Sequence, residues 1–574
     1  MSSQVKNPSY RSSYLSPAIF FLVIGLIFGI LFCTFIPEGA GFDEDAHLVR
    51  IFDTALFNIF PKQPPQKPNL TFSEFFTLSY QRRGFQSPAS DLFNTENFLL
   101  KPDRENMTPR TTRSNYFPLL YLPQAVVAGI GWRIFDFPII PVVIAMRLIG
   151  LIIYLFAGLL TIRMLPIGKW VFVILAVSPL ALFQASTISG DGFTMSVCFV
   201  FTGLVLRTFS QREKVIDLHT AMLIFGASLL LGMSKPGIII LLPLLFLLCW
   251  NKAESKKIPL IIISGVILSI VISVGWSYMV ALNKIVGTTG NSRLEQMVLV
   301  FQNLGDFLSG YFIGIFRLIS KYYRDWVASY GYWVGQVPEE VFYLFPFALL
   351  LAFLTEGKNT AFSIKSRLVI FLVSILCLGA MASAKFIFGY IPGQIYYNAQ
   401  ARYFLPFAPL FFLSFAGWID FKPSIHKIAA PLAATFILAT LAIYSYGLYQ
   451  TYYTECVYRV NETHPCRLPQ YKNLDVSKPP LVNLTPKLVV TQTFSPHCSQ
   501  ISALRVLPLS VTPGGTGMLR MSLFDLKGQS IAVSEVPVSD ISENKVIRLL
   551  FPTQKVQPFG EYSFKIELIE ETGL

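Results

Sequence analysis

Eleven stretches of the chain are continuously apolar: residues 17–36, 139–162, 170–188, 193–209, 218–233, 237–250, 259–282, 341–354, 368–388, 403–418 and 428–449. Crossing ~30 Å of hydrocarbon takes roughly 20 helical residues. The pattern therefore predicts an α-helical polytopic membrane protein of about eleven transmembrane helices. The first run is too long for a signal-peptide core and lacks a small-residue cleavage site, so it reads as a first span. One more run, 117–135, is interrupted by Pro118, Pro123, Gly129 and Gly131. A broken helix at membrane depth is tolerated where protein or a water-filled cavity covers its backbone, and this run is expected to be a re-entrant helix in the first outer loop.

The loops between the runs give an orientation. If 117–135 dips in and returns, the side of the N-terminus carries Arg163 and Lys169, then Arg207, Arg212 and Lys214, then Lys252, Lys256 and Lys257. Lys358, Lys365 and Arg367 follow on the same side, as do Lys422 and Lys427. Short basic loops stay in the cytoplasm. The first loop (37–138), the turn at Ser189-Gly190-Asp191, an aromatic loop (283–340) and the segment 390–402 then face the extracytoplasmic side. A full span at 117–135 would move every later basic loop outside.

Composition agrees with this reading. Hydrophobic residues are 53% of 574 and charged ones 14%, against about 25% charged in soluble domains. Mean hydropathy is +0.54. The net charge of +13 would suggest nucleic acid for a soluble protein, but here the loop cations account for it, and no nucleic-acid partner is expected.

Past the last run the character changes. Alternating stretches at 517–526, 546–551 and 562–569, with turns at Pro513-Gly514-Gly515, Lys527-Gly528 and Phe559-Gly560, predict a small β-sandwich-like domain. The expected organisation is a cytoplasmic N-terminus (1–16), a membrane domain (17–449) and an extracytoplasmic β-rich domain (450–574). Cys33, Cys198, Cys249 and Cys377 lie in apolar runs, where cysteine packs. Cys456 and Cys466 are spaced to close a small disulfide loop in an oxidising compartment.

Candidate chemistry gathers on the outer side. Directly after the first span comes Asp43-Glu44-Asp45-Ala46-His47. Asp43 and His47 share a helical face, and the cluster suits a divalent cation or proton abstraction; equally, Asp43 caps a helix whose first turn favours acidic residues. Asp191 stands between two apolar runs, either as a functional group at membrane depth or as a turn and cap residue. Lys235, in Ser234-Lys235-Pro236, is either a contact for a lipid phosphate or a snorkelling lysine. Arg402, in Gln400-Ala401-Arg402-Tyr403, presents a donor fork suited to phosphate. The aromatics from Tyr311 to Tyr343 suit an amphipathic helix on the outer leaflet. Phosphate loops, zinc-ligand spacings and nucleophile elbows are absent from the sequence.

These motifs, in order, resemble a bacterial family of predicted membrane proteins, a domain of unknown function with an Asp-Glu-x-x-His motif grouped with the GT-C glycosyltransferases. The matching residues are Asp43-Glu44-x-x-His47, Ser189-Gly190-Asp191, Ser234-Lys235-Pro236, Tyr330-Gly331-Tyr332-Trp333 leading to Pro338, and Gln400-Ala401-Arg402-Tyr403-Phe404-Leu405-Pro406. The resemblance covers residues from about 20 to 420. It implies a GT-C-like architecture and transfer of a sugar from a polyprenyl-phosphate donor to an extracytoplasmic glycan or lipid acceptor. By that resemblance Asp43 or Glu44 is the base or a ligand for Mg²⁺ or Mn²⁺, and Asp191 is the second acidic residue. His47, Lys235, Arg402 and Tyr403 are the expected substrate contacts. The alternatives are a non-enzymatic flippase or exporter, or an assembly partner, for lipid-linked envelope glycans.

Overall fold

The computed structural model describes residues 15–60, 70–73, 99, 101, 107–110, 116–211, 214–248, 253–282, 293–331, 337–358, 362–392, 400–419, 423–453 and, with short gaps, 484–569. Cys456 and Cys466, and Tyr332 and Trp333 of the aromatic motif, lie outside the described residues. The chain divides into two compact units, with the change at Leu448 and Tyr449.

The first unit is helical. It opens with α1 (Pro17–Phe35) and α2 (Glu44–Ala55), followed by an antiparallel strand pair, β1 (Leu70–Ser73) with β2 (Met107–Arg110). The stretch expected to be re-entrant is a 3-10 turn (Pro118–Tyr121), a seven-residue α3 (Leu122–Ala128) and a π turn (Gly129–Ile134). Next come α4 (Ile139–Met164), α5 (Lys169–Ala176), α6 (Pro179–Ala185), α7 (Gly190–Ser210) and α8 (Leu218–Gly232). After a 3-10 helix (Ile238–Leu247) follow α9 (Lys257–Leu282), α10 (Arg293–Gln302), α11 (Leu304–Arg317) and α12 (Ile319–Val327). The unit continues through α13 (Glu339–Phe353), α14 (Ile364–Gly389), a 3-10 turn (Ala401–Phe404), α15 (Ala408–Leu413) and α16 (Pro423–Tyr453).

Among the described residues six helices are long and apolar enough to cross a membrane: α1, α4, α7, α9, α14 and α16. The pair α10–α11, bent by 91°, makes a seventh if it is one span. This is a multi-pass membrane protein, and among the described residues the six or seven candidate spans do not confirm the expected eleven. Proline explains most of the difference, because it lacks an N–H and clashes with the preceding turn. Run 170–188 breaks into α5 and α6 before Pro179, and 403–418 is reduced to α15 beside Pro406 and Pro409. Pro243 sits in the 3-10 helix, and Pro346 inside the 15-residue α13. Run 218–233 is only the 15-residue α8. Burial explains the rest: all of α6, and all of α5 except Lys169, is buried. Those residues are apolar because they form the core of the bundle.

The loops sort to two ends. Glu356 accepts from the Gly168 and Lys169 amides at 2.6 and 2.9 Å, and His426 Nδ1 lies 2.8 Å from the Leu354 carbonyl. Phe209 stacks on Phe362, Ile216 bridges Ala253, and Arg367 donates to the carbonyls of Ser414, Ala416 and Gly417. The basic loops thus meet at one end. At 1.5 Å per residue, Asp191 lies about 27 Å along α7 from Phe209, at the other end. Close packing sets α1 on α4: a methyl on Gly25 or Gly29 would collide with Leu155 or Leu151, and one on Gly158 with Phe21, the small-residue contact that membrane helices favour.

The second unit is a small β region. A four-stranded sheet orders β3 (Val489–Phe494), β8 (Tyr562–Ile569), β5 (Met518–Phe524) and β6 (Ser530–Pro537). A separate pair joins β4 (Gln500–Val506) to β7 (Ile547–Lys555). Leu519, Met521 and Leu523 alternate inward on β5 and share one core with Leu549 and Phe551 of β7.

Candidate functional site

The chain leaves α1 and turns through Pro37–Phe42 into α2, with Asp43 in the left-handed region (φ 54°) at the N-cap. Its side chain makes no capping bond. Instead Oδ2 accepts from Arg402 Nη2 at 2.9 Å, so one of the two roles open to Asp43, side-chain capping, is not the one taken.

Glu44 folds back under this turn. Its Oε2 accepts from the Gly39 and Gly41 amides, each at 3.0 Å, and from Arg147 Nη2 at 2.8 Å. Oε1 accepts from Arg147 Nε and the Ile188 amide, each at 2.9 Å. Arg147 also donates to the carbonyls of Cys33, Ile36 and Pro37 at the end of α1. Sequence reading passed over this arginine because it sits inside run 139–162. The signal was available: a lone arginine in a span is costly unless it has a buried task.

Asp191 comes from the start of α7. Ser189 caps that helix, its hydroxyl accepting from the Asp191 amide at 3.2 Å. The Asp191 carboxylate therefore points away from capping, to Lys235 Nζ at 2.5 Å from Oδ1. Arg402 Nε lies 4.0 Å from Oδ2. The turns after α8 and before α15 thus bring Lys235 and Arg402 onto Asp191, and Arg402 joins it to Asp43.

Aromatic rings line the cations. Lys235 Nζ lies 5.1 and 5.3 Å from the ring centres of Tyr116 and Tyr403, and the Arg402 guanidinium 4.4 Å from that of Phe42. Such contacts stabilise desolvated cations. His47 Nδ1 lies 2.6 Å from the Tyr121 hydroxyl, and its ring stacks on Tyr116. Gly331, at φ 98°, backs the motif: a methyl there would meet the Ala40 carbonyl oxygen at 2.1 Å. The aromatic segment therefore includes a backbone support for the acidic turn. The expected amphipathic helix corresponds to α11 and α12, whose Tyr323 donates to the Phe342 carbonyl at 2.6 Å.

Asp43, Asp191, Lys235 and Arg402 are 6%, 3%, 4% and 3% exposed. Two carboxylates and two cations leave the group formally neutral. It is nevertheless incompletely bonded: among the described residues, Asp191 Oδ2, Arg402 Nε and Nη1, and Gln400 Oε1 are buried without a hydrogen-bond partner. Buried polar atoms left in that state are costly, and those of Arg402 and Asp191 lie where Arg402 faces both carboxylates. The donor set does not fit a resident Mg²⁺ or Mn²⁺. Both oxygens of Glu44 are filled, Asp43 and Asp191 already face buried cations, and among the described residues no three metal-ligating side chains converge.

The predicted membrane protein family DUF2142 matches residues 26–411, and the chain belongs to that family. A search of curated proteins finds no match.

Proposed function

We propose that the protein is a membrane glycosyltransferase of GT-C type, transferring a sugar from a polyprenyl-phosphate donor to a glycan or lipid acceptor on the extracytoplasmic face. The positive-inside rule supports the orientation, with the N-terminus in the cytoplasm of a bacterial plasma membrane and the acidic turns outside. The observation that carries the reading is Arg402: buried, with Nε and Nη1 making no hydrogen bond among the described residues, between Asp43 and Asp191 and close to Lys235. A planar donor fork with unused hydrogens suits a phosphate, and Lys235 adds a second cation through Asp191.

In the transfer step the acceptor oxygen forms a bond to the anomeric carbon while the carbon–oxygen bond to the donor phosphate breaks. The electron pair leaves with the phosphate, and the charge it develops is met by Arg402 and Lys235, an interaction strongest in a site shut off from water. The acceptor's proton passes to Asp43, which exchanges its Arg402 contact for the acceptor hydroxyl and serves as general base. Glu44 has no oxygen left for that role. Asp191 holds Lys235 in place.

The test is sugar transfer by protein in nanodiscs, over a panel of polyprenyl-phosphate sugars, with Asp43→Asn, Asp191→Asn and Arg402→Lys. Transfer by wild type, abolished by Asp43→Asn and strongly reduced by Arg402→Lys in folded protein, is the expected result. Undiminished transfer in Asp43→Asn would remove the base assignment. Donor movement across the bilayer without transfer would favour a flippase.

A further inference from the structure

Glu44 touches three parts of the chain besides its own helix: the turn Pro37–Phe42 through two amides, α4 through both Nε and Nη2 of Arg147, and the turn before α7 through the Ile188 amide. Asp43 is its immediate neighbour, and Ile188 stands three residues before Asp191. Arg147 extends the link to the last carbonyls of α1. One buried ion pair, 2.8 Å across with side chains 0% and 3% exposed, thus ties together the backbone segments that carry both acidic residues.

We infer that Glu44 and Arg147 are a positioning pair that sets the distance between Asp43 and Asp191, so that one guanidinium, Arg402, faces both. The pair touches no substrate; it acts through the two turns it holds. Its catalytic consequence rests on the glycosyltransferase reading, whereas its structural consequence does not.

Geometry decides why this is more than ordinary packing. Five donors converge on one carboxylate, and those from the two acidic turns arrive on different oxygens: Gly39 and Gly41 on Oε2, Ile188 on Oε1. The arginine fork meets both oxygens and fixes the plane of the carboxylate. If that plane rotates, both turns shift. A misplacement of about 1 Å at a catalytic group lowers a rate on the order of 10²-fold.

The experiment compares wild type, Glu44→Gln, Arg147→Met and the double variant Glu44→Gln/Arg147→Met, all full-length in nanodiscs. Removing one partner strands the other in the core, whereas removing both charges relieves that penalty. The double variant is therefore expected to be more thermally stable than Arg147→Met. Amide hydrogen exchange is then followed in peptides covering 37–44 and 186–191. In the stable double variant both segments should exchange faster together, with a segment distant from the pair, such as 425–440, unchanged. Protection retained in either segment would overturn the inference, whether or not any sugar transfer is detected.

Where wild type transfers sugar, the double variant should show kcat lowered on the order of 10²-fold with the donor KM nearly unchanged. Recovery of both stability and kcat would reduce the pair to a structural one. Wild type without transfer would count against the functional reading alone, because the exchange result still decides the positioning claim.

Discussion

Replacing Asp191 by asparagine tests whether the neutral charge balance of the buried cluster holds it together. In the wild type Asp191 gives Lys235 its carboxylate at 2.5 Å and faces Arg402 at 4.0 Å. Asparagine is nearly isosteric but neutral, so the cluster is left with Asp43 against two cations. Lys235 is 4% exposed and, among the described residues, would have no anion in contact, only the rings of Tyr116 and Tyr403. Stranding one member of a buried pair costs about 3–5 kcal/mol, a large part of the 5–15 kcal/mol typical of a folded domain. The two rings already contact Lys235 in the wild type and so do not offset this, leaving an expected loss of about 3–5 kcal/mol. Adding Lys235→Met removes the stranded charge and keeps most of the volume, so the double variant should regain most of that loss. The assay is thermal unfolding in detergent, followed by the fraction remaining monodisperse after heating. Asp191→Asn as stable as wild type, or a double variant no better than the single one, would refute the charge-balance argument.

Two further outcomes follow from the described geometry. Gly331→Ala should destabilise the protein by at least the roughly 1–3 kcal/mol of a strained backbone position, because it adds a methyl 2.1 Å from the Ala40 carbonyl; Gly226→Ala in α8, with open space around it, should be neutral or slightly stabilising, and comparing their melting temperatures checks both. Burial pushes the Glu356 carboxyl above the usual range, against the pull of the Gly168 and Lys169 amides. Because its folded value is raised, Glu356 contributes stability that is fully present below the unfolded value of about 4.3 and is lost as pH rises through the folded value; Glu356→Gln should therefore match wild type at low pH and gain on it as pH rises, and a gap independent of pH in melting curves would contradict this.

The candidate site was largely legible because ionisable residues at the ends of apolar runs are expensive and therefore informative. Asp43, Asp191 and Arg402 stood out, Lys235 read as readily as a snorkelling lysine, and the loop charges alone put all four on one face; the structure brings these four together. What sequence could not give was pairing. Nothing in the spacing says that Arg402 meets Asp43 across 359 positions, or that Glu44 is spent on Arg147. The count of eleven spans is not confirmed for a different reason. A run of apolar residues does not distinguish a surface that faces lipid from one that faces protein, and run 170–188 is apolar because α5 and α6 are enclosed. The prolines at 179, 243, 346, 406 and 409 each fall in a run that does not make a full-length helix among the described residues, but Pro431 lies inside the 31-residue α16, so proline alone does not mark a broken run.

The division of labour between neighbouring residues at 43 and 44 follows from helix geometry. Asp43 is at the N-cap in a left-handed conformation, so its carboxylate departs from the helix axis toward Arg402, while Glu44 begins the helix and points back under the turn. Two adjacent acids thereby face opposite ways. One reaches a cluster whose buried atoms still lack partners, and the other has every strong acceptor site filled. A group that must change partners during a reaction cannot also be the group that holds the turns in place, because releasing it would release them. On the proposed glycosyltransferase reading, fixing the frame with Glu44 and Arg147 lets Asp43 exchange Arg402 for a substrate hydroxyl without loosening the fold, with the donor phosphate taking up the Arg402 donors, because a buried guanidinium left without an anion is costly.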